Sequence, residues 1–297
     1  MLPTLTLPAA QPSLVLDTPA SQEQVSSFLD QYRPSANDNE YAWYWARQAG
    51  AQGEGTKERD EKVQALSLEG VGLVQGLVDE CEVIKQGTAA PPRKRSGTSP
   101  KWKLLKEAHA RFSSDIKQLA QRYGVVSGKW VLFVPTDEVD GVWAKAVRLF
   151  AYSDSPLAAT GAVDTIKVSP VAGKDGRHLI CIYTKDCYNE VAVEKVLEVI
   201  LKQLRVKPTG YKPDIYTRLG IYWNHPSGLS PVLYRPSDFL AASEIDRLLE
   251  KQTQAKAVQP KTLAEEVAAG GADGFDSMYS TSSDDEAVPQ KKKAKKE

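Results

Sequence analysis

Apolar residues three and four positions apart recur along much of the chain. Leu105, Ala108, Phe112, Ile116, Leu119 and Tyr123 form the clearest stripe, closed by Gly124, and the spacing predicts an amphipathic helix. A second stripe, Val139, Val142, Trp143, Ala146, Val147 and Phe150, predicts a helix from about Asp137 to Phe150, capped by Thr136 or Asp137. Acids at 137, 138 and 140 suit the positive end of that helix. A third stripe runs through Val193, Val196, Leu197, Ile200, Leu201 and Leu204, predicting a helix over 189–204. Shorter helices are expected from Ser21, with Val25, Phe28 and Leu29 on one face, and from Ser237 to Glu250. Val63 to Ile84 also reads as a helix, although Gly70, Gly72 and Gly76 weaken it.

Period-two alternation marks the strands. Tyr41, Trp43 and Trp45 share one face of the segment 41–47. Lys129 to Val134 and Val163 to Val168 read as strands, and His178 to Lys185 is apolar on both faces, as a central strand is. Asp214 to Trp223 and the short run Val232 to Tyr234 complete the set. Helices interspersed with alternating strands and turn-like loops give an α+β class, with one largely antiparallel sheet carrying helices on one face.

Between these elements lie segments without a period. Residues 1–20 read as a loose lead-in, 21–250 as a single domain with a mobile insertion near 48–100, and 251–297 as a disordered tail. The insertion holds the Gly-rich stretch 50–61 and the basic, Pro-bounded stretch 91–100. Arg93-Lys-Arg95 and the Lys-rich run 291–296 have the form of nuclear-import clusters. Ser280, Ser282 and Ser283 precede Asp284, Asp285 and Glu286, a context for an acid-directed kinase.

Composition narrows the class without naming an activity. Of 297 residues, 41% are hydrophobic and 26% charged, a globular balance. No apolar run approaches the roughly 20 residues that span a bilayer. Met1 to Pro19 lacks the basic start and compact apolar stretch of a signal peptide. Three cysteines, Cys81, Cys181 and Cys187, suit a reducing compartment, so a cytoplasmic or nuclear address is expected. The formal net charge is zero, but it sums an acidic first hundred residues (9 basic, 13 acidic) and a basic body over 101–250 (21 basic, 17 acidic). Bulk electrostatics therefore cannot drive tight nonspecific binding to nucleic acid, and any such binding must be local.

Catalytic patterns are thin. His109, His178 and His225 have no partner at ligand or triad spacing, and Cys181 and Cys187 encode no zinc knuckle. Gly124-Val-Val-Ser-Gly-Lys-Trp130 is one residue short of a phosphate loop, and Lys129 is not followed by Ser or Thr. Gly70-x-Gly72 lacks the preceding strand and third glycine of a dinucleotide turn. No enzyme, metal or cofactor is expected.

The segment 215–222 is more informative. As a strand it turns Ile215, Thr217, Leu219 and Ile221 inward and Tyr216, Arg218, Gly220 and Tyr222 outward. An aromatic and basic face of that kind can stack bases and neutralise phosphate. From Lys202 to Arg218, five basic residues (Lys202, Arg205, Lys207, Lys212 and Arg218) accompany one acid, Asp214.

Several strings resemble a known family: Gly128-Lys-Trp-Val-Leu-Phe133, Ile166-Lys-Val-Ser-Pro170, Leu179-Ile-Cys-Ile-Tyr-Thr184 and, most specific, Tyr211-Lys-Pro-Asp-Ile-Tyr-Thr217 with Leu219-Gly-Ile-Tyr222. The family is the one typified by basophilic leukaemia-expressed protein, and the resemblance covers roughly 35–47 and 100–240. It implies a fold similar to the cap-binding translation initiation factor 4E, a curved, largely antiparallel sheet with helices on its convex side. It also implies a concave binding face, with Trp45 or Trp130 stacking a base and Lys167, Lys185, Lys212 or Arg218 meeting phosphates, beside Tyr216. In the cap-binding factor an acid follows one stacking Trp. Here Tyr44, Ala46, Lys103, Val131, Ala144 and Asn224 follow the six Trp, a departure from the methylguanine-binding pattern. The expectation is a non-enzymatic binding module for RNA or a nucleotide, with no membrane partner. The alternative is an adaptor that binds protein partners and no nucleic acid.

Overall fold

A computed structural model describes residues 12–37, 40–49, 57–87 and 100–250. In chain order its main elements are β1 (Ser13–Thr18), α1 (Gln22–Gln31), β2 (Trp43–Gln48), α2 (Lys57–Gln86), α3 (Pro100–Tyr123), β3 (Gly128–Pro135), α4 (Thr136–Ala151), β4 (Val163–Val168) and β5 (Arg177–Thr184). Then follow α5 (Glu190–Val199), which widens into a π turn over Ile200–Leu204, β6 (Gly210–Pro213), α6 (Asp214–Arg218) and α7 (Ala242–Glu250). The import-like clusters at 93–95 and 291–296, the serines at 280–283 and the tail from 251 lie outside the described residues.

Local chemistry sets the helix ends. Ser21 caps α1 by accepting from the Gln24 amide, while the Gln24 side chain accepts from the Ser21 amide. Asn189 caps α5 through the Ala192 amide. Helix α4 differs from expectation: Thr136 is its first residue, and its hydroxyl donates to the Gly176 carbonyl rather than capping.

The six strands form one curved, unclosed sheet in the order β1-β2-β4-β5-β3-β6. Only β1 and β2 run parallel; every other pair is antiparallel. One face carries Ala46, Trp130, Leu132, Ile166, Ile180 and Ile182 into the main core. That core is closed by Val25 and Phe28 of α1, Trp143 and Val147 of α4, Val193 and Leu197 of α5, and Ile245 and Leu248 of α7. A second core joins α2 and α3 to α6: Leu66, Leu77 and Cys81 meet Phe112, Ile116, Ile215 and Leu219. Gly70 permits this closeness, since a Cβ there would lie 2.5 Å from Leu219 Cδ2. Within the stretch 48–100, residues 57–86 form the single helix α2.

The segment from Asp214 requires correction: it is α6 and not a strand. Strand β6 pairs with β3 only as far as Gly128, the first residue of β3, so the ladder has no partner beyond Pro213. Ile215, Tyr216 and Leu219 then fall on one helical face and are buried together. Gly220, at φ 71°, ends the helix: its amide donates to Thr217 and the Ile221 amide to Tyr216, a Schellman cap. Residues 232–234 make a single bridge, Tyr211 to Tyr234, in place of a strand. The closing helix begins at Ala242, after a short turn at Pro236–Asp238. Conversely, Ser13–Thr18 within the lead-in is β1, in register with Trp43–Gln48.

Candidate functional site

Strand register alone assembles the sheet's other face. Directly paired residues on neighbouring strands point to the same side. Trp45 pairs with Lys167, Lys167 with Cys181, Tyr183 with Lys129, and Lys129 with Lys212. Alternation adds Trp43 and Arg47 on β2. The face opposite the main core is therefore a row of indole, ammonium, phenol and ammonium groups.

The contacts are close. Lys167 Nζ lies 3.7 Å from the ring centre of Trp43, 4.7 Å from that of Trp45 and 5.6 Å from that of Tyr183. Lys129 Nζ approaches the same Tyr183 ring at 5.0 Å, and Lys212 Nζ sits 3.8 Å from the centre of Tyr222. Trp45 and Tyr183 stack at 6.2 Å with planes 25° apart. Beside Trp45 an open depression of about 170 Å³ is lined by Ser13, Val15, Arg47 and Thr165.

Charge on this face is unbalanced. Asp214, placed by its backbone N–H donating to the Ser127 carbonyl, accepts from the Ser127 hydroxyl at 2.6 Å and pairs with Lys129. Arg47 pairs with Asp17 at 3.0 Å at the sheet's edge. Among the described residues no carboxylate lies within ion-pair distance of Lys167 or Lys212. Burial lowers the Lys167 ammonium below the ordinary lysine range, with Lys129 adding repulsion. Burial, and then Lys129, brings Lys212 down to about 8. Burial also pushes the Cys181 thiol up to about 11, so it is neutral at pH 7.

Of the residues expected to bind, Trp45, Lys167 and Lys212 come together here. Trp130 does not: it lies fully buried on the core face, its indole N–H donating to the Val193 carbonyl at 3.1 Å. Tyr216 is buried in the second core. Lys185 lies beyond the end of β5 and donates to the Gly161 carbonyl at 2.9 Å. Arg218 is exposed on α6. A family model described as basophilic leukemia-expressed protein Bles03 matches residues 7–220. The chain belongs to that family. The Bles03 match takes in the face from Trp43 to Asp214 and stops just before Tyr222.

Sequence reasoning passed over Lys129, Tyr183 and Asp214 as residues of this face. The signal was present in Lys129-Trp-Val-Leu-Phe-Val134, where the lysine holds the opposite parity to Trp130, Leu132 and Val134. The histidines are held locally: His178 Nδ1 lies 2.9 Å from the Ser169 carbonyl and His225 Nδ1 2.7 Å from the Ser227 hydroxyl. His109 Nε2 does meet a partner that spacing concealed, Cys81 Sγ at 3.7 Å, together with the Ser227 carbonyl at 3.1 Å. Burial raises the Cys81 thiol, which sits in the second core.

Proposed function

We propose that this face of the Bles03-family sheet is a binding site for RNA or a nucleotide, with Trp43 and Trp45 stacking a base and Lys167 and Lys212 meeting phosphate. The observation that carries the reading is two partly buried ammoniums with no carboxylate at ion-pair distance, Lys167 set beside two indoles and Lys212 beside the Tyr222 ring at the other end of the face. An uncompensated cation removed from water is costly, and a phosphate would offset that cost. The indoles supply a surface on which any base can stack, worth roughly 1–3 kcal/mol per base. In this reading the face is the concave side of a fold like that of translation initiation factor 4E, and the module binds without performing chemistry. Its expected setting is the cytoplasm or nucleus.

Titration of intrinsic Trp fluorescence with capped and uncapped RNA tests it. Quenching is expected with both, and it should disappear in the Trp43→Ala/Trp45→Ala double variant. With two phosphates engaged, log affinity should fall with log salt at a slope of about −1.4. Absence of quenching, or quenching untouched by the double substitution, refutes the site.

A second reading, a protein-interaction adaptor, draws on Leu68, Val71 and Val83, which stand 73%, 59% and 70% exposed on α2. Apolar side chains grouped on one helix suit a protein partner. Partners that survive ribonuclease and are lost in Leu68→Asp would favour it.

A further inference from the structure

The chemistry across the sheet is ordered and not merely clustered. Moving from β2 through β4, β5 and β3 to β6, the side chains read Trp43 and Trp45, Lys167, Tyr183, Lys129, Lys212 and finally Tyr222. Aromatic groups stand at both ends and in the middle, and ammoniums lie between them. Five adjacent strands at about 4.8 Å spacing make the row about 19 Å wide. A single nucleotide reaches only one end of such a row.

We propose that the ligand is a single strand of about four nucleotides laid across the strands, near the lower end of site sizes for sheet-based single-strand binders. Its terminal bases rest on the Trp43/Trp45 end and on Tyr222, and its phosphates lie over Lys167 and Lys212, on either side of the Lys129–Asp214 pair. This deepens the nucleotide reading above and rests on it. Tyr222 is 49% exposed, so its ring retains surface for a base while Lys212 holds it from one side. Because ring faces do not distinguish bases as hydrogen-bonding edges do, the site is selective for strandedness and length more than for sequence.

A length series of oligouridylates and oligoadenylates, from one nucleotide to eight, tests this on the full chain by isothermal titration and fluorescence quenching. Affinity should rise at least tenfold from one nucleotide to four and then level. Tyr222→Ala should weaken the tetranucleotide about tenfold and leave the mononucleotide unchanged, while Tyr222→Phe keeps wild-type affinity for both. Equal affinity for one and four nucleotides, or Tyr222→Ala acting on both alike, overturns the extended site while leaving a mononucleotide site standing. Inorganic polyphosphate binding as tightly as the tetranucleotide also overturns it, since no base would then be stacked. If no nucleotide of any length binds, the nucleotide reading itself falls.

Discussion

Lys129 and Lys212 face each other as a direct pair across β3 and β6, and Asp214, among the described residues the one carboxylate paired with either, is bound to Lys129. Lys212 is left with an ammonium for a neighbour, burial around its stem, and the ring of Tyr222. Its basicity, brought down to about 8, is the consequence.

Anion binding should therefore depend on pH where most lysine sites do not. Lys212 is charged below about pH 8 and loses its proton as pH rises through that value. Affinity for uncapped RNA should fall several-fold between about pH 7 and pH 9, and Lys212→Met should flatten the profile. A wild-type profile flat over that range would show that Lys212 does not meet the ligand.

Stability should show the same group with the opposite sign. In the unfolded chain a lysine titrates near about 10.4, so between about 8 and 10.4 the unfolded state holds more protons than the folded state. Folding stability contributed by Lys212 thus rises with pH across that window, and at pH 7 its buried charge is a cost. Lys212→Met and Lys167→Met should each raise the urea midpoint at pH 7, and the Lys212→Met gain should shrink toward pH 10. A site that binds at the expense of stability is a common arrangement.

Much of the scaffold is legible in the sequence because helix stripes such as Leu105 to Tyr123 and runs such as Lys129 to Val134 obey their own periods. The reading of 214–223 failed because Ile215, Thr217, Leu219 and Ile221 alternate in sequence, whereas the end of β3 leaves that backbone without a ladder partner. Gly220 then carried the better signal, as the left-handed residue closing a short helix. The face was half legible. Trp45, Lys167 and Lys212 stand out as residue types, but only register shows that Lys129 and Tyr183 join them and that Trp130 points the other way. Strand β1 escaped notice because Ser13–Thr18 is stabilised by pairing with β2 and not by a pattern of its own.

Asp214→Asn should separate stability from affinity. Lys129 and Asp214 keep side-chain exposures of 11% and 18%, so removing the carboxylate leaves a largely buried ammonium unpaired. Breaking one side of such a pair costs about 3 kcal/mol, measurable by urea denaturation. The same change adds a third uncompensated cation to the face, so RNA affinity should increase and its salt dependence steepen. Affinity that falls with stability would instead assign Asp214 to ligand positioning.

Gly128→Ala tests the join between the two faces. A Cβ at 128 would lie 2.6 Å from the Tyr211 ring, whose hydroxyl is bonded to Thr184 in the core. Displacing that ring should cost about 1–3 kcal/mol. Because Lys129 and Lys212 flank these two positions, RNA affinity should fall with it. Unchanged thermal stability would mean that Tyr211 has room to move.

Trp130 and Trp45 give the sharpest contrast, because the same residue type occupies opposite faces of one sheet. Trp130 is fully buried, edge-on to Tyr211 at 5.3 Å, and its indole N–H is satisfied by Val193. Trp130→Ala opens a large cavity and frees a buried carbonyl, so a loss of about 3–5 kcal/mol is expected. Trp45 is half-buried, with Lys167 and Tyr183 as its ring contacts. Trp45→Ala should cost no more than about 1.5 kcal/mol, the scale of an aromatic pair, while removing most of the RNA-dependent quenching. Urea denaturation and quenching measured on both variants decide the matter: if Trp130→Ala is the one that spares stability and abolishes quenching, the two faces have been assigned the wrong way round.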